Sequence, residues 1–551
     1  MNENEGEHFA SGADFRFPPF SRIFVTVNST ATISTISPPS PRTRRYWWAL
    51  AWLGMAIGVC FRVCHLGRES LWFDEGYTAW IVSHSPGEII RLILADTAPP
   101  LYYLLLHGWT EVFGRSEIAL RSLSTACSIL TLLVALGIAR RMLRNPAAVA
   151  AVMWLMSFSF LQTWYAREAR AYALMGLLGV AAFDVLQRHL AVPHRRWLIP
   201  LTLLIATEMY THNMMAPYAM GLVLAWLVLP SEHSMRRRIA EIALVTGVAV
   251  ALYLPWAIGG LPAQMDMIQH AFWVDPLKHG NFLKAIVAMV GVQHYWSWAH
   301  LLQLIHVPLG NGTRPLFTVG CLISASAFLS IVVQKGARRR EALGLLVATM
   351  FSPVFVGLYS VLQTPLFTPK LFLPSATLMP IFVLLPLGMP LSRWISRAAW
   401  AGTLLLLSLS GLTLYSHYLE DNKENWRAIA QRVSELPAEH RLIVFVANDG
   451  QLPFDYYYHY RPGDEATGVP RGFFDRDPPR TMLRVLVERD LRPLNARLDS
   501  GHYDQVVLVL AHQEWADPNH LTKALLRKRW PRAGQEELND LAIQWYQPNG
   551  R

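Results

Sequence analysis

The sequence predicts a polytopic α-helical membrane protein of about 11–13 transmembrane helices, followed by a C-terminal extracytoplasmic α/β domain. Three observations lead there. The 551 residues are 52% hydrophobic and only 16% charged, against about 25% charged in an ordinary soluble chain. Apolar runs suited to crossing about 30 Å of hydrocarbon recur between residues 46 and 417. Past Leu419 they give way to alternating helical and strand-like patterns. Twenty Trp and nineteen Tyr fit the aromatic belts of a membrane protein.

Residues 1–45 are rich in Ser, Thr and Pro and read as a disordered cytoplasmic tail. They begin acidic, and the first apolar run starts only near Tyr46, so no cleavable signal peptide is expected. Arg42, Arg44 and Arg45 precede that run and make 46–65 a signal anchor with its N-terminus in the cytoplasm. Further spans are expected near 117–139, 147–164, 170–189, 196–211, 213–230, 240–259, 314–333, 342–362, 371–390 and 396–416. With this count, Arg140-Arg141, Arg188 to Arg196, Arg236-Arg237-Arg238, Arg338-Arg339-Arg340 and Arg393 with Arg397 all fall on the cytoplasmic side. Counting 99–113 as a span would invert everything after it. Residues 65–116 therefore read as one outer loop with amphipathic helices at 87–95 and 100–113. The remaining outer connections hold residues 164–172, Tyr210 to Asn213, the stretch 260–313 with Trp273, Asp275, Lys278 and His279, and Gln363 to Lys370.

Residues 418–551 form the C-terminal domain. Helices are expected at 424–436, 452–460, 481–498 and 519–529, with strands at Leu442–Val446, Gln505–Leu510 and Asp540–Tyr546. Continuous apolar strands between helices point to a mainly parallel sheet. The domain has neither GxGxxG nor GxxxxGK[ST], so nucleotide binding is unsupported. The net charge of +10 lies in short clusters between spans, where it sets topology. No basic face interleaved with aromatics marks a nucleic-acid partner. Cys60, Cys64, Cys127 and Cys321 form no CxxC, so neither a zinc site nor a disulfide framework is indicated.

The chemistry gathers on the outer side. Asp74 and Glu75 sit adjacent in Leu71-Trp72-Phe73-Asp74-Glu75-Gly76-Tyr77, and Asp96 opens Asp96-Thr97-Ala98-Pro99-Pro100-Leu101-Tyr102-Tyr103. A carboxylate at a membrane is costly unless it meets water, a partner or a substrate. An ionised aspartate at a water-accessible end can act as a general base; a loop or capping acid is the bland alternative. Arg167 and Arg170 are three apart, share a face on a helix start, and carry forks suited to phosphate oxygens. Pairing with Glu168 or with lipid headgroups is the alternative. Lys370 is a cation at an outer end, where topology alone would not place one. Tyr172, His212 and Asn213 are possible substrate contacts, or an interfacial polar turn.

These runs, namely Phe-Asp-Glu, Pro-Pro-Leu-Tyr-Tyr, Tyr-Ala-Arg-Glu-Ala-Arg-Ala-Tyr and the cation before Leu-Phe-Leu-Pro, resemble the GT-C membrane glycosyltransferases. The branch most similar is that of the protein O-mannosyltransferases and lipid A aminoarabinose transferases. The resemblance covers roughly 46–417. It implies transfer of a sugar from a polyprenyl-phosphate donor to an envelope acceptor outside the membrane, with inversion at the anomeric carbon. It implies a catalytic aspartate in the first outer loop, matching Asp74, and lipid-phosphate cations at the outer ends, matching Arg167, Arg170 and Lys370. Two departures stand out: Ala98 where many relatives have His, and Lys370-Leu371 where many have Arg-Tyr. The scheme requires no metal or other cofactor, although acids at the site could hold a divalent cation. Two other classes compete. A transporter or lipid flippase would use the same charges, with repeated halves and broken helices near the midplane. An envelope-assembly protein would explain the C-terminal domain but not the acids.

Overall fold

The computed structural model describes residues 40–551 except 95, 193, 266–273, 275, 278–280, 293–312, 420–422, 475–484, 539–540 and 548–551. Trp273, Asp275, Lys278 and His279, with most of the expected tail, lie outside the described residues. The first helix, α1 (Pro41–Val63), starts earlier than the apolar run that foretold it. Ser40 is its N-cap, accepting from the Thr43 N–H at 3.2 Å, and Pro41 occupies the first turn, where its missing N–H costs nothing.

Three helices follow before the next long one: α2 (Phe73–Ile81), α3 (Pro86–Ile93) and α4 (Leu101–Phe113). α3 is capped where Glu88 Oε2 accepts from the Ser85 N–H at 3.2 Å. At 13 residues α4 is about 20 Å long, short of the membrane. Its Tyr102, Tyr103 and Leu106 are buried against Leu71, Ile81, Ile89 and Ile93, so 65–116 packs as a helical cap on the bundle.

The bundle continues with α5 (Glu117–Leu143), α6 (Pro146–Phe158), α7 (Phe160–Ala166), α8 (Tyr172–Ala191), α9 (Leu198–Thr211), α10 (Met215–Val228) and α11 (Met235–Gly259). Later helices include Thr313–Phe328, Gly336–Leu362, Leu373–Val383 and Arg393–Leu419. Each segment expected to span the membrane is helical. Among the described residues, six helices are long and apolar enough to cross: α1, α5, α8, α11, Gly336–Leu362 and Arg393–Tyr418. The pair α6 and α7, bent by 54°, makes a seventh if taken as one span. The other four are shorter; α9 and α10, at 14 residues each, are about 21 Å long. Composition cannot separate such segments from full spans, because a side chain buried between helices is as apolar as one facing lipid. Leu373–Val383, for example, is buried throughout.

The C-terminal domain is a five-stranded sheet of order β2-β1-β3-β5-β4, built from β1 (Arg441–Val446), β2 (Asp464–Gly468), β3 (Gln505–Leu510), β4 (Arg532–Leu538) and β5 (Leu541–Tyr546). β1 runs parallel to β2 and β3, while β5 is antiparallel to β3 and β4. The sheet is thus mixed rather than mainly parallel. β2 and β4 escape a hydrophobic reading because they are polar edge strands, Asp-Glu-Ala-Thr-Gly and Arg-Ala-Gly-Gln-Glu-Glu-Leu. Polarity of that kind protects a sheet edge from stray pairing. β1 and β3 are buried on both faces and carry the core.

This domain is seated on the 65–116 cap. The Tyr457 hydroxyl accepts from the Leu71 N–H at 2.7 Å, and Glu424 Oε2 accepts from the Phe73 N–H at 3.1 Å. A Cβ at Gly76 would lie 2.7 Å from Pro453 of helix Gln451–Tyr457, so only glycine allows this approach.

Candidate active site

The start of α2 separates its two adjacent acids. Both lie in the first turn, where the helix dipole favours negative charge. Successive helical residues point about 100° apart, so one faces inward and the other sideways. Glu75 is fully buried, whereas the Asp74 side chain keeps 20% of its surface exposed.

Glu75 has all four acceptor directions filled. Arg121 from α5 grips it with Nε to Oε1 at 2.7 Å and Nη2 to Oε2 at 2.6 Å. Lys423 Nζ donates to Oε2 at 3.0 Å and the Ala169 N–H to Oε1 at 3.0 Å. Burial by itself would raise the carboxyl, but the Arg121 and Lys423 charges win and hold it at about 2. The expectation that Glu75 is catalytic meets this environment: no oxygen is left for a substrate proton. Its geometry is that of a residue that fixes the start of α2 against α5 and the 167–171 turn.

Asp74 faces the turn between α7 and α8. Its Oδ2 lies 3.9 Å from Arg170 Nε. The same guanidinium donates through Nη1 to the Tyr103 hydroxyl at 3.0 Å, and that hydroxyl donates to Asp96 Oδ2 at 2.7 Å. Burial keeps the Tyr103 phenol protonated well above its ordinary value, so it remains a donor. Asp96 Oδ1 also accepts from the Thr97 N–H at 2.6 Å. Arg170 thus stands between the two aspartates, touching one directly and the other through a tyrosine.

Arg167 and Arg170 do not share a helix face as their spacing implied. The helix stops at Ala166, and both lie in the connecting turn, where the Arg170 N–H bonds the Glu168 carbonyl at 2.8 Å. Their side chains diverge. Arg167 Nη2 is 3.9 Å from Glu69 Oε2 and 3.4 Å from the His65 carbonyl, and its guanidinium lies 5.2 Å from the Tyr418 ring centre. Arg167 is buried, yet its Nε and Nη1 have no hydrogen-bond partner among the described residues. Such donors call for an acceptor, since a buried unmade bond to a charged group is expensive.

Glu168 pairs with neither arginine. Its Oε2 accepts from Trp164 Nε1 at 2.9 Å, and its Oε1 is buried without a hydrogen-bond partner among the described residues. Burial raises this carboxyl to about 7, against the pull of Lys423. Lys370 Nζ lies 5.1 Å from the Tyr172 ring centre, and the Tyr172 and His212 rings are 6.1 Å apart. Burial, with Arg170 and Lys370 nearby, lowers His212 to about 3, so it is a neutral ring whose Nδ1 accepts from the Met214 N–H at 3.1 Å. Asn213 is occupied differently: it bonds the Thr97 carbonyl at 3.1 Å, Gln264 Oε1 at 2.9 Å and the Tyr253 hydroxyl at 3.3 Å. It pins the segment after Asp96.

Sequence reasoning missed Arg121, Lys423 and Glu69, and took Glu168 only as a partner for the arginines. A signal existed for Arg121: an arginine inside an apolar span must find an acceptor, a carboxylate or backbone carbonyls. None existed for Lys423, a single lysine just ahead of the helix expected at 424–436.

Residues 97–258 match the family model described as dolichyl-phosphate-mannose-protein mannosyltransferase. No curated protein matches the chain by sequence. Among solved structures, the fold is similar to ArnT from Cupriavidus metallidurans in the apo state, at 15% identity and a TM-score of 0.58, covering 91% of this chain and 98% of that one. The same protein bound to undecaprenyl phosphate gives 14% identity and a TM-score of 0.52, covering 92% and 98%. The Archaeoglobus fulgidus oligosaccharyltransferase tethered to an acceptor peptide gives 11% identity and a TM-score of 0.52, covering 88% and 72%. The GT-C resemblance read from the sequence therefore holds, both in the family model and in the ArnT-like fold.

Proposed function

We propose that the chain is a glycosyltransferase that moves a sugar from a polyprenyl-phosphate donor to an envelope acceptor on the extracytoplasmic side. The observation that carries this reading is the arrangement around Arg170: a part-exposed aspartate 3.9 Å from a buried guanidinium, with the unpartnered donors of Arg167 on the same turn. The ArnT-like fold and the mannosyltransferase family match support the reaction class.

In this reading the acceptor hydroxyl loses its proton to Asp74 as its oxygen attacks the anomeric carbon. The carbon–oxygen bond to the lipid phosphate breaks in the same displacement. Arg167, Arg170 and Lys370 stabilise the departing phosphate as an anion, so it needs no proton. Arg170 has a second use: a donor phosphate competes with Asp74 for its guanidinium. The aspartate is then released as a base only when donor is present. Tyr172 and His212 flank Lys370 and would contact the sugar or phosphate.

The direct test incubates purified protein with labelled polyprenyl-phosphate sugars and an extract of envelope acceptors. Label is expected to move to an acceptor. Movement of the lipid across a bilayer without transfer would favour the flippase instead. Arg167→Ala should weaken donor binding about ten- to hundredfold, the loss of a charge-assisted bond of about 1.5–3 kcal/mol; Arg170→Ala should add to it. Unchanged donor affinity in the double variant would leave both as headgroup anchors. Sidedness has its own test. A reporter fused after residue 417 should be active only outside the cytoplasm, and one at Arg238 only inside. A cytoplasmic C-terminal domain would overturn the topology and place the site on the wrong face for an envelope acceptor.

A further inference from the structure

Far from Asp74, three ligating side chains from three elements meet. α8 runs from Tyr172 at the candidate active site to His189, roughly 26 Å away at 1.5 Å per residue. There His189 meets His233, from the turn ahead of α11, and Glu241 from α11. His189 Nε2 lies 3.0 Å and His233 Nδ1 3.1 Å from the same oxygen, Glu241 Oε2. All three ligand atoms fall within 4.8 Å of one another. The His189 side chain is fully buried, that of His233 is 4% exposed and that of Glu241 10%.

The two nitrogen–oxygen distances are close to those within a coordination sphere. Donor atoms held tetrahedrally at about 2.0–2.2 Å from one ion stand about 3.3 Å apart. The orientation fits too. Arg237 Nε donates to the other carboxylate oxygen, Oε1, at 2.9 Å. That leaves Oε2 to the histidines and supplies the outer partner that a metal-bound carboxylate ordinarily has.

A hydrogen-bonded trio is the competing arrangement. A neutral imidazole has one donor and one acceptor nitrogen. If each ring donates to Glu241, then His189 Nδ1 and His233 Nε2 are left as buried acceptors, and both are without partners among the described residues. A metal at the near nitrogens moves the hydrogens to the far ones, and the metal–ligand bonds offset their isolation. The neighbouring Arg238 is engaged elsewhere, donating to the Leu227 carbonyl at 3.1 Å and the Leu229 carbonyl at 2.9 Å.

We propose that His189, His233 and Glu241 bind one first-row divalent metal ion that ties α8, the turn before α11 and α11 together. Two imidazoles and one carboxylate select zinc, cobalt or nickel over magnesium or calcium. The inference is independent of the transferase reading and assigns the ion no part in the chemistry at Asp74.

The test uses untagged full-length protein in detergent, stripped with a chelator and titrated with cobalt(II). One equivalent should bind with the visible absorption of a tetrahedral cobalt–imidazole centre, and zinc should displace it. His233→Gln and Glu241→Gln should each weaken binding by at least about tenfold. Zinc should raise the melting temperature of the wild type but not of either variant. Asp74→Asn, at the remote site, should bind cobalt as the wild type does. Absence of binding, or the same affinity and spectrum in the wild type and both variants, overturns the proposal. Loss of binding in Asp74→Asn would do so as well, by moving the ion to the other end.

Discussion

Asp74→Asn should lower turnover by about 10²–10⁴-fold, the usual contribution of a general base. The amide keeps the shape of the side chain and its reach toward Arg170 but has almost no basicity. Donor affinity should change little, because the phosphate is held by cations. Asp96→Asn is the discriminating companion. Asp96 reaches the same guanidinium through Tyr103 and could take the proton in place of Asp74. The mechanism allows that exchange but not the loss of both roles. Wild-type transfer rates in both single variants, with normal insertion, would remove the acid mechanism and bring the transporter forward.

Arg121→Ala should be the most damaging change to the fold. Its guanidinium holds Glu75 at 2.7 and 2.6 Å and also donates to the carbonyls of Leu66, Glu69 and Ser70 at 2.6, 2.8 and 2.9 Å. Removing one member of a buried pair typically costs about 3–5 kcal/mol, because the other charge stays behind. Here Lys423 would remain as partial compensation. Arg121→Lys should rescue little, since a point charge cannot reproduce the fork. A melting temperature unchanged in Arg121→Ala would show that the cap is held by apolar packing alone. The pH dependence carries a second signature. Glu75 is held at about 2 against an ordinary 4.5. Its contribution is therefore complete above about pH 4.5 and is lost as pH falls toward 2. Glu75→Gln should lack that part of the acid transition.

What the sequence made legible follows from what it encodes locally. Spans and the strands β1 and β3 announce themselves as long apolar runs. The polar edge strands β2 and β4 do not, because their pairing depends on neighbours far along the chain. The acids of Phe-Asp-Glu-Gly were visible as a pair, but only the turn of α2 shows that one faces a guanidinium across 3.9 Å and the other is enclosed. Arg167 and Arg170 were recognisable as cations of one connection, while their divergence depends on α7 ending at Ala166. Lys423 lies 348 residues from its carboxylate. No local pattern joins residues so distant, and the same holds for His189 and Glu241.

The fit of Gly76 against Pro453 has a consequence for how this architecture can be modified. The helix that presents Asp74 is pressed, without room for one methyl group, onto the C-terminal domain. That domain is therefore not a cassette to be exchanged between relatives while the bundle is kept. A chimera would have to carry residues 65–116 along with the sheet as one transplant, since a new partner at position 453 would tilt α2 and re-aim its aspartate. Natural drift meets the same restriction: bulk gained on one side of the seam must be given up on the other.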